Sequence, residues 1–130
     1  MLKIGLVGVG GISGAHIPAW DAMEDAELAA ICDIRPERME PYPDKRQYTD
    51  FEEMLAKEEI DILDICLPTY LHADYAIKAM EKGIHVICEK PISLKEEDVE
   101  RVYSTAKKMS VKELAELKRS NPDAYRNLYN

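Results

Sequence analysis

The apolar run Leu2-Lys3-Ile4-Gly5-Leu6-Val7 ends in Gly8-Val9-Gly10-Gly11-Ile12-Ser13-Gly14, and helix-type spacing follows at once. A strand that turns through several glycines into a helix constrains the fold more than any other feature of the chain. Glycine at position 8 permits a tight turn, and glycine at 10 removes the Cβ that would hold a phosphate away from the backbone. The first N–H groups of the following helix have no intrahelical acceptor, so they make the turn an anion site. The third position of the G-x-G-x-x-G spacing is Ser13, small enough for close helix–strand packing, with a further glycine at 14. The turn therefore predicts a pyrophosphate site at Gly8, Gly10, Gly11 and Ile12.

The rest of the chain repeats the same alternation. Residues 12–24 carry helical spacing through Ile12, Ala15, Ala19 and Met23, with Pro18 inside as a kink or late start. Leu28-Ala29-Ala30-Ile31-Cys32 reads as a strand that closes on Asp33. Three prolines and seven charges over 35–47 predict a helical turn and a surface loop. Tyr48-Thr49 is a brief strand, and Asp50 is the N-cap of a helix over 51–57. A strand over 62–67 stops at Pro68, and a helix over 70–82 follows with Ala73, Ala76, Ile77 and Met80 on one face and Gly83 past its end. Residues 84–88 form another strand, and Ser93 caps a polar helix reaching Lys108. Strands and helices alternating at this spacing make parallel βαβ units with right-handed crossovers, hence a three-layer, doubly wound α/β sheet of the Rossmann type.

Ligands of such sheets bind beyond the carboxyl ends of the strands, and three groups of residues fall there. Asp33 stands 25 residues after Gly8, where a carboxylate accepts hydrogen bonds from ribose hydroxyls and repels a 2′-phosphate. That favours NAD, while Arg35 and Arg38 close behind leave NADP open. Leu67, Pro68 and Thr69 shape the cofactor wall, and His72 sits in the first turn of the next helix. Glu89-Lys90-Pro91 follows the strand ending at Cys88. There Lys90 is the candidate catalytic group, a donor to a reacting oxygen or a relay for its proton, with Glu89 placed to pair with or orient it.

These segments, together with His16 two residues past Gly14, occur in the order and context that resembles the nucleotide-binding half of the glucose-fructose oxidoreductase / inositol dehydrogenase (Gfo/Idh/MocA) family, over residues 1 to about 108. The resemblance implies an NAD(P)-dependent oxidoreductase acting on the hydroxyl of a sugar, inositol or related polyol. It also implies that Lys90 touches both cofactor and substrate, and that a cis bond precedes Pro91.

Composition bounds the alternatives. A chain of 130 residues has room for one domain. Its net charge of -8 argues against nucleic acid or an anionic membrane as partner. No apolar run reaches the length of a membrane span, and the start does not read as a signal peptide, so the cytoplasm is the expected compartment. Cys32, Cys66 and Cys88 are odd in number and widely spaced, as expected of reduced core residues, and no Cys-x-x-Cys pair suggests a metal.

Family members continue into a second, largely antiparallel domain that carries most substrate contacts. Here residues 1–108 are expected to form the NAD(P)-binding domain and 109–130 a helical tail. Ser110 with Glu113 reads as a capping box, and a short helix follows near Pro122 to Tyr129. An apolar face left open in this way calls for a second copy or a partner chain, with Tyr125, Leu128 and Tyr129 available to the contact. The alternative to an oxidoreductase domain is a module that holds NAD(H) without turnover, or a truncated family member acting through a partner chain.

Overall fold

The computed structural model describes residues 1–128. The elements are β1 (Leu2–Val7), α1 (Ser13–Asp21), β2 (Ala26–Cys32), β3 (Arg46–Tyr48), α2 (Phe51–Lys57), β4 (Ile62–Ile65), α3 (His72–Glu81), β5 (His85–Cys88), α4 (Glu96–Ser120) and α5 (Pro122–Asn127). Short 3-10 turns at Pro36–Met39 and Thr69–Leu71 lead out of the β2 and β4 ends. All strand pairs are parallel, in the order β3-β2-β1-β4-β5. The chain reverses its direction of winding beside β1, the place where a doubly wound sheet opens a crevice. Among the described residues no helix is long and apolar enough to cross a membrane.

Period-two alternation divides the core between the two faces of the sheet. Val7, Ala30, Leu63 and Ile65 point to one side, where they meet Met54 and Leu55 of α2 and Ala76 and Met80 of α3. Ile4, Leu6, Leu28 and Ile31 point to the other, where Ile17 of α1 covers them. Leu63 and Ile65 are fully buried, and each contributes about 2 kcal/mol through the apolar surface removed from water. Asp50 caps α2 as expected, accepting a hydrogen bond from the Glu52 N–H at 2.9 Å.

Three local expectations are corrected. The inward face of α1 is Ser13, His16, Ile17 and Trp20, whereas Ile12, Ala15, Ala19 and Met23 face outward. Hydrophobicity misleads here because the sheet offers α1 a polar partner, described below. Ser93 is not the cap of α4, whose N-cap position is Lys95. Its hydroxyl accepts from the Lys95 N–H at 3.0 Å and donates to Asp98 at 3.3 Å, closing the turn before the helix. Finally, Ser110 and Glu113 form no capping box, since α4 runs unbroken through both. With no glycine or proline between 96 and 120 and with Val102 and Met109 anchored against the α2/α3 cluster, continuing the helix is cheaper than restarting it. The acidic first turn and the helical character of the tail are as expected. Tyr129 lies outside the described residues.

Candidate cofactor-binding site

The glycine turn is gripped from both neighbouring strands. The Gly8 N–H donates to the Cys32 carbonyl at 2.9 Å. Gly8 has φ +93°, and a Cβ there would stand 2.7 Å from the Cys66 carbonyl oxygen, so only glycine fits without strain. Beyond it the Ser13 hydroxyl donates to the Gly10 carbonyl at 2.5 Å, which tightens the entry to α1. The N–H groups of Gly10, Gly11 and Ile12 find no acceptor among the described residues. Three open donors at a helix start fit a phosphate group without rearrangement.

Asp33 closes one side of this turn. It is 5% exposed. One carboxylate oxygen accepts from the Val9 N–H at 2.8 Å, and the other accepts from the Arg35 N–H at 2.8 Å. The Arg38 guanidinium lies 3.6 Å from Asp33 and borders Gly10. These residues share a cleft of about 510 Å³ with Gly8, Gly11, Leu67 and Pro68. Of the residues expected from the sequence, Ile12, Thr69, His72, Glu89, Lys90 and Pro91 do not line it.

His72 has a different place. It begins α3 and is 1% exposed. Its Nδ1 lies 2.8 Å from the Pro91 carbonyl oxygen and its Nε2 lies 2.7 Å from that of Leu67. The ring therefore ties the cleft wall to the Lys90–Pro91 segment, whose peptide bond is cis. Lys90 is exposed and has no hydrogen bond or ion pair among the described residues.

Glu89 pairs with a residue far from Lys90 along the chain. Its carboxylate is 2.8 Å from Nε2 of His16, and Nδ1 of His16 is 2.7 Å from Asp64. Asp64 is fully buried in β4. It also accepts from the indole N–H of Trp20 at 2.8 Å and from the Cys66 thiol at 3.6 Å. This is the polar partner that draws His16 and Trp20 inward. Burial works against the charged His16 ring, and the hydrogen bonds to Asp64 and then Glu89 outweigh it, so the His16 pKa is raised. His16, Asp64 and Cys66 bring atoms of metal-binding types within 4.8 Å of one another, but hydrogen bonds within the cluster already engage them. Sequence reasoning assigned no role to Asp64 or Trp20. The available signal was a carboxylate inside the apolar run of a central strand, a position that demands a partner.

Comparison with known proteins gives a consistent picture. The model of the GFO_IDH_MocA family, an oxidoreductase family with an NAD-binding Rossmann fold, matches residues 2–116. A glucose-6-phosphate 3-dehydrogenase of Bacillus subtilis is 31% identical over 115 residues, 86% of this chain and 32% of that protein. A myo-inositol 2-dehydrogenase of Thermotoga maritima is 32% identical over 114 residues, 85% of this chain and 34% of that protein. Among solved structures, the WlbA dehydrogenase from Bordetella pertussis in complex with NADH and UDP-GlcNAcA superimposes with a TM-score of 0.79 at 34% identity, covering 84% of this chain and 35% of that one. The chain thus spans about a third of the length of the relatives it matches.

Proposed function

The chain belongs to the Gfo/Idh/MocA oxidoreductase family with its NAD-binding Rossmann fold, and from that premise we propose that it is the cofactor-binding part of a dehydrogenase acting on the hydroxyl of a sugar or polyol. The observation that carries this reading is the set of open N–H groups at Gly10, Gly11 and Ile12 beside the buried Asp33 carboxylate.

In this reading those N–H groups, with Gly8 making the turn, hold the pyrophosphate, and Asp33 accepts from the adenosine ribose hydroxyls. Arg38 flanks both. Asp33 favours NAD, and Arg38 within 3.6 Å of it tempers the repulsion of a 2′-phosphate, which leaves NADP as the lesser ligand. Leu67 and Pro68 form the wall along the cofactor, and His72 braces that wall against Pro91. The bound nicotinamide supplies hydride transfer. Lys90, exposed at the lip, donates a hydrogen bond to the reacting oxygen, while Glu89 is held away from it.

Residues 1–108 carry this cofactor function and 109–130 are an accessory tail, in the cytoplasm. The outward face of α1, with Ile12 and Met23 about half exposed, supports association with a second copy, a partner chain or further substrate-binding structure. The second reading, an NAD(H)-holding module without turnover, is favoured by the lack of any hydrogen-bonded partner of Lys90 among the described residues that would act as a base.

Titration with NADH, followed by nicotinamide fluorescence, tests the binding claim, and the absence of a saturable change removes both readings. Reduction of NAD in the presence of a polyol panel separates the first from the second.

A further inference from the structure

The Glu89 carboxylate turns away from the lysine beside it. It reaches His16 on α1, and the other face of that ring is held by Asp64 from β4. Ionised carboxylates only accept hydrogen bonds, so a ring that bonds one on each side must donate from both nitrogens. A neutral imidazole has a single N–H and keeps one of the two. The carboxylates differ in what else holds them. Asp64 is fully buried and retains Trp20 and Cys66, whereas the Glu89 side chain is 35% exposed and has no other bond to its carboxylate among the described residues. On losing a proton the ring stays with Asp64 and releases Glu89.

We propose that His16 is a positioning residue for the Glu89-Lys90-Pro91 lip: its bridge from Asp64 keeps the Glu89 carboxylate off Lys90, leaving that ammonium to the bound cofactor and reacting oxygen, and the bridge opens when the ring gives up a proton. The titratable groups facing His16 are Asp64 and Glu89, which hold its ring, and Cys66, which lies within 4.8 Å of it, with Cys88 beside Glu89 in the chain. Burial pushes the Cys88 thiol up to about 11 and the Cys66 thiol higher still, with Glu89 and Asp64 nearby adding to both shifts. Both thiols are therefore neutral near pH 7, and the ring answers to the two carboxylates. Burial of the ring opposes its charge, the two hydrogen bonds overcome it, and the net rise in its pKa keeps the bridge closed to higher pH than an exposed histidine ring would. The last step, the benefit to the bound cofactor, rests on the reading of the lip given above; the bridge itself does not.

Nitrogen-15 spectra of the histidine rings of the whole chain, recorded across pH, test the bridge without any ligand. Below its transition both nitrogens of His16 should be protonated, and that transition should lie above that of an exposed histidine. The side-chain carboxyl carbon of Glu89 should shift with the His16 transition, and in Glu89→Gln that transition should move to lower pH. A His16 transition at or below that of an exposed histidine, or a Glu89 resonance that ignores it, overturns the proposal. NADH affinity should fall through the same transition by at least ~tenfold, the share of one charge-assisted hydrogen bond. His16→Gln, uncharged at every pH, should flatten that profile, and a step that persists in it also overturns the proposal. If His16→Gln does not fold, Glu89→Gln carries this arm, since it too should lack the step while leaving the His16–Asp64 pair in place. Failure of the wild-type chain to bind NADH would sink the cofactor reading, while the ring spectra still decide the bridge.

Discussion

Nδ1 of His72 lies 2.8 Å from the carbonyl oxygen of Pro91, nineteen residues further along the chain. Because Nε2 holds the Leu67 carbonyl at 2.7 Å, one buried ring sets the spacing between the cleft wall and the lip. His72→Ala should destabilise the fold by about 2–3 kcal/mol, combining a core cavity with the loss of the ring N–H that a backbone carbonyl accepts from. Urea unfolding measures this. A variant as stable as the wild type would mean that the ring is not a brace.

Two glycines of the same turn should behave differently. Gly8→Ala forces a Cβ to within 2.7 Å of the Cys66 carbonyl at φ +93° and should cost at least ~2 kcal/mol in thermal or urea melts. At Gly11 a Cβ meets nothing within 4 Å, so Gly11→Ala should leave stability within about 0.5 kcal/mol while weakening NADH binding by crowding the phosphate. Equal losses of stability at both positions would contradict this account of the turn.

Asp33→Ala removes the acceptor for the Val9 and Arg35 N–H groups and the carboxylate offered to the ribose. NADH affinity should fall by about tenfold, or ~1.4 kcal/mol, while NADPH loses less because a negative charge facing its 2′-phosphate is gone. Paired fluorescence titrations give the ratio, and an unchanged NADH to NADPH preference would argue against Asp33 as the ribose group.

The raised pKa of His16 has a consequence for stability. An unfolded histidine titrates near ~6.5. In the folded chain burial opposes the charge and the bonds to Asp64 and Glu89 more than compensate. A folded value above the unfolded one means that the stabilisation is fully present below about 6.5 and is lost as pH rises through the folded value. The urea midpoint of the wild type should therefore decline on the alkaline side, and that part of the decline should be missing in His16→Gln. A midpoint that rises over this window would reverse the assigned sign.

All three thiols are free and should be sluggish. Burial pushes Cys32 up to about 12 and Cys88 up to about 11, and it raises Cys66 further. The thiolate is the reactive form. Thiol-labelling reagents at pH 8 should thus react slowly with the native chain and rapidly in denaturant. Prompt native labelling of Cys32 or Cys66 would show that these buried positions open readily.

Much of this was legible in advance. The strand–glycine–helix opening, Asp33 at the end of β2, Asp50 as a cap and Gly83 past α3 follow from backbone rules that act within a few residues. Their outcome does not depend on distant parts of the chain. The doubly wound sheet follows from the same local signals repeated in order. Where the reading erred, the deciding contact was remote. The inward face of α1 is set by Asp64, 48 positions from His16, and hydrophobic periodicity along α1 has no knowledge of it. The capping box at Ser110 failed because Met109 packs on a distant cluster and carries the helix through.

The sequence by itself thus determined the kind of chain this is, a parallel α/β sheet opened by a glycine turn with a carboxylate beside it, because those features are properties of short segments. Only the tertiary structure decided which groups meet beyond the strand ends. It placed His72 on two carbonyls instead of in the cleft, and it gave Glu89 to His16 instead of to its neighbour Lys90. The physical reason is that hydrogen bonds of buried charged and polar groups are settled by whichever partners the packed sheet brings within 3 Å, and spacing along the chain says little about that.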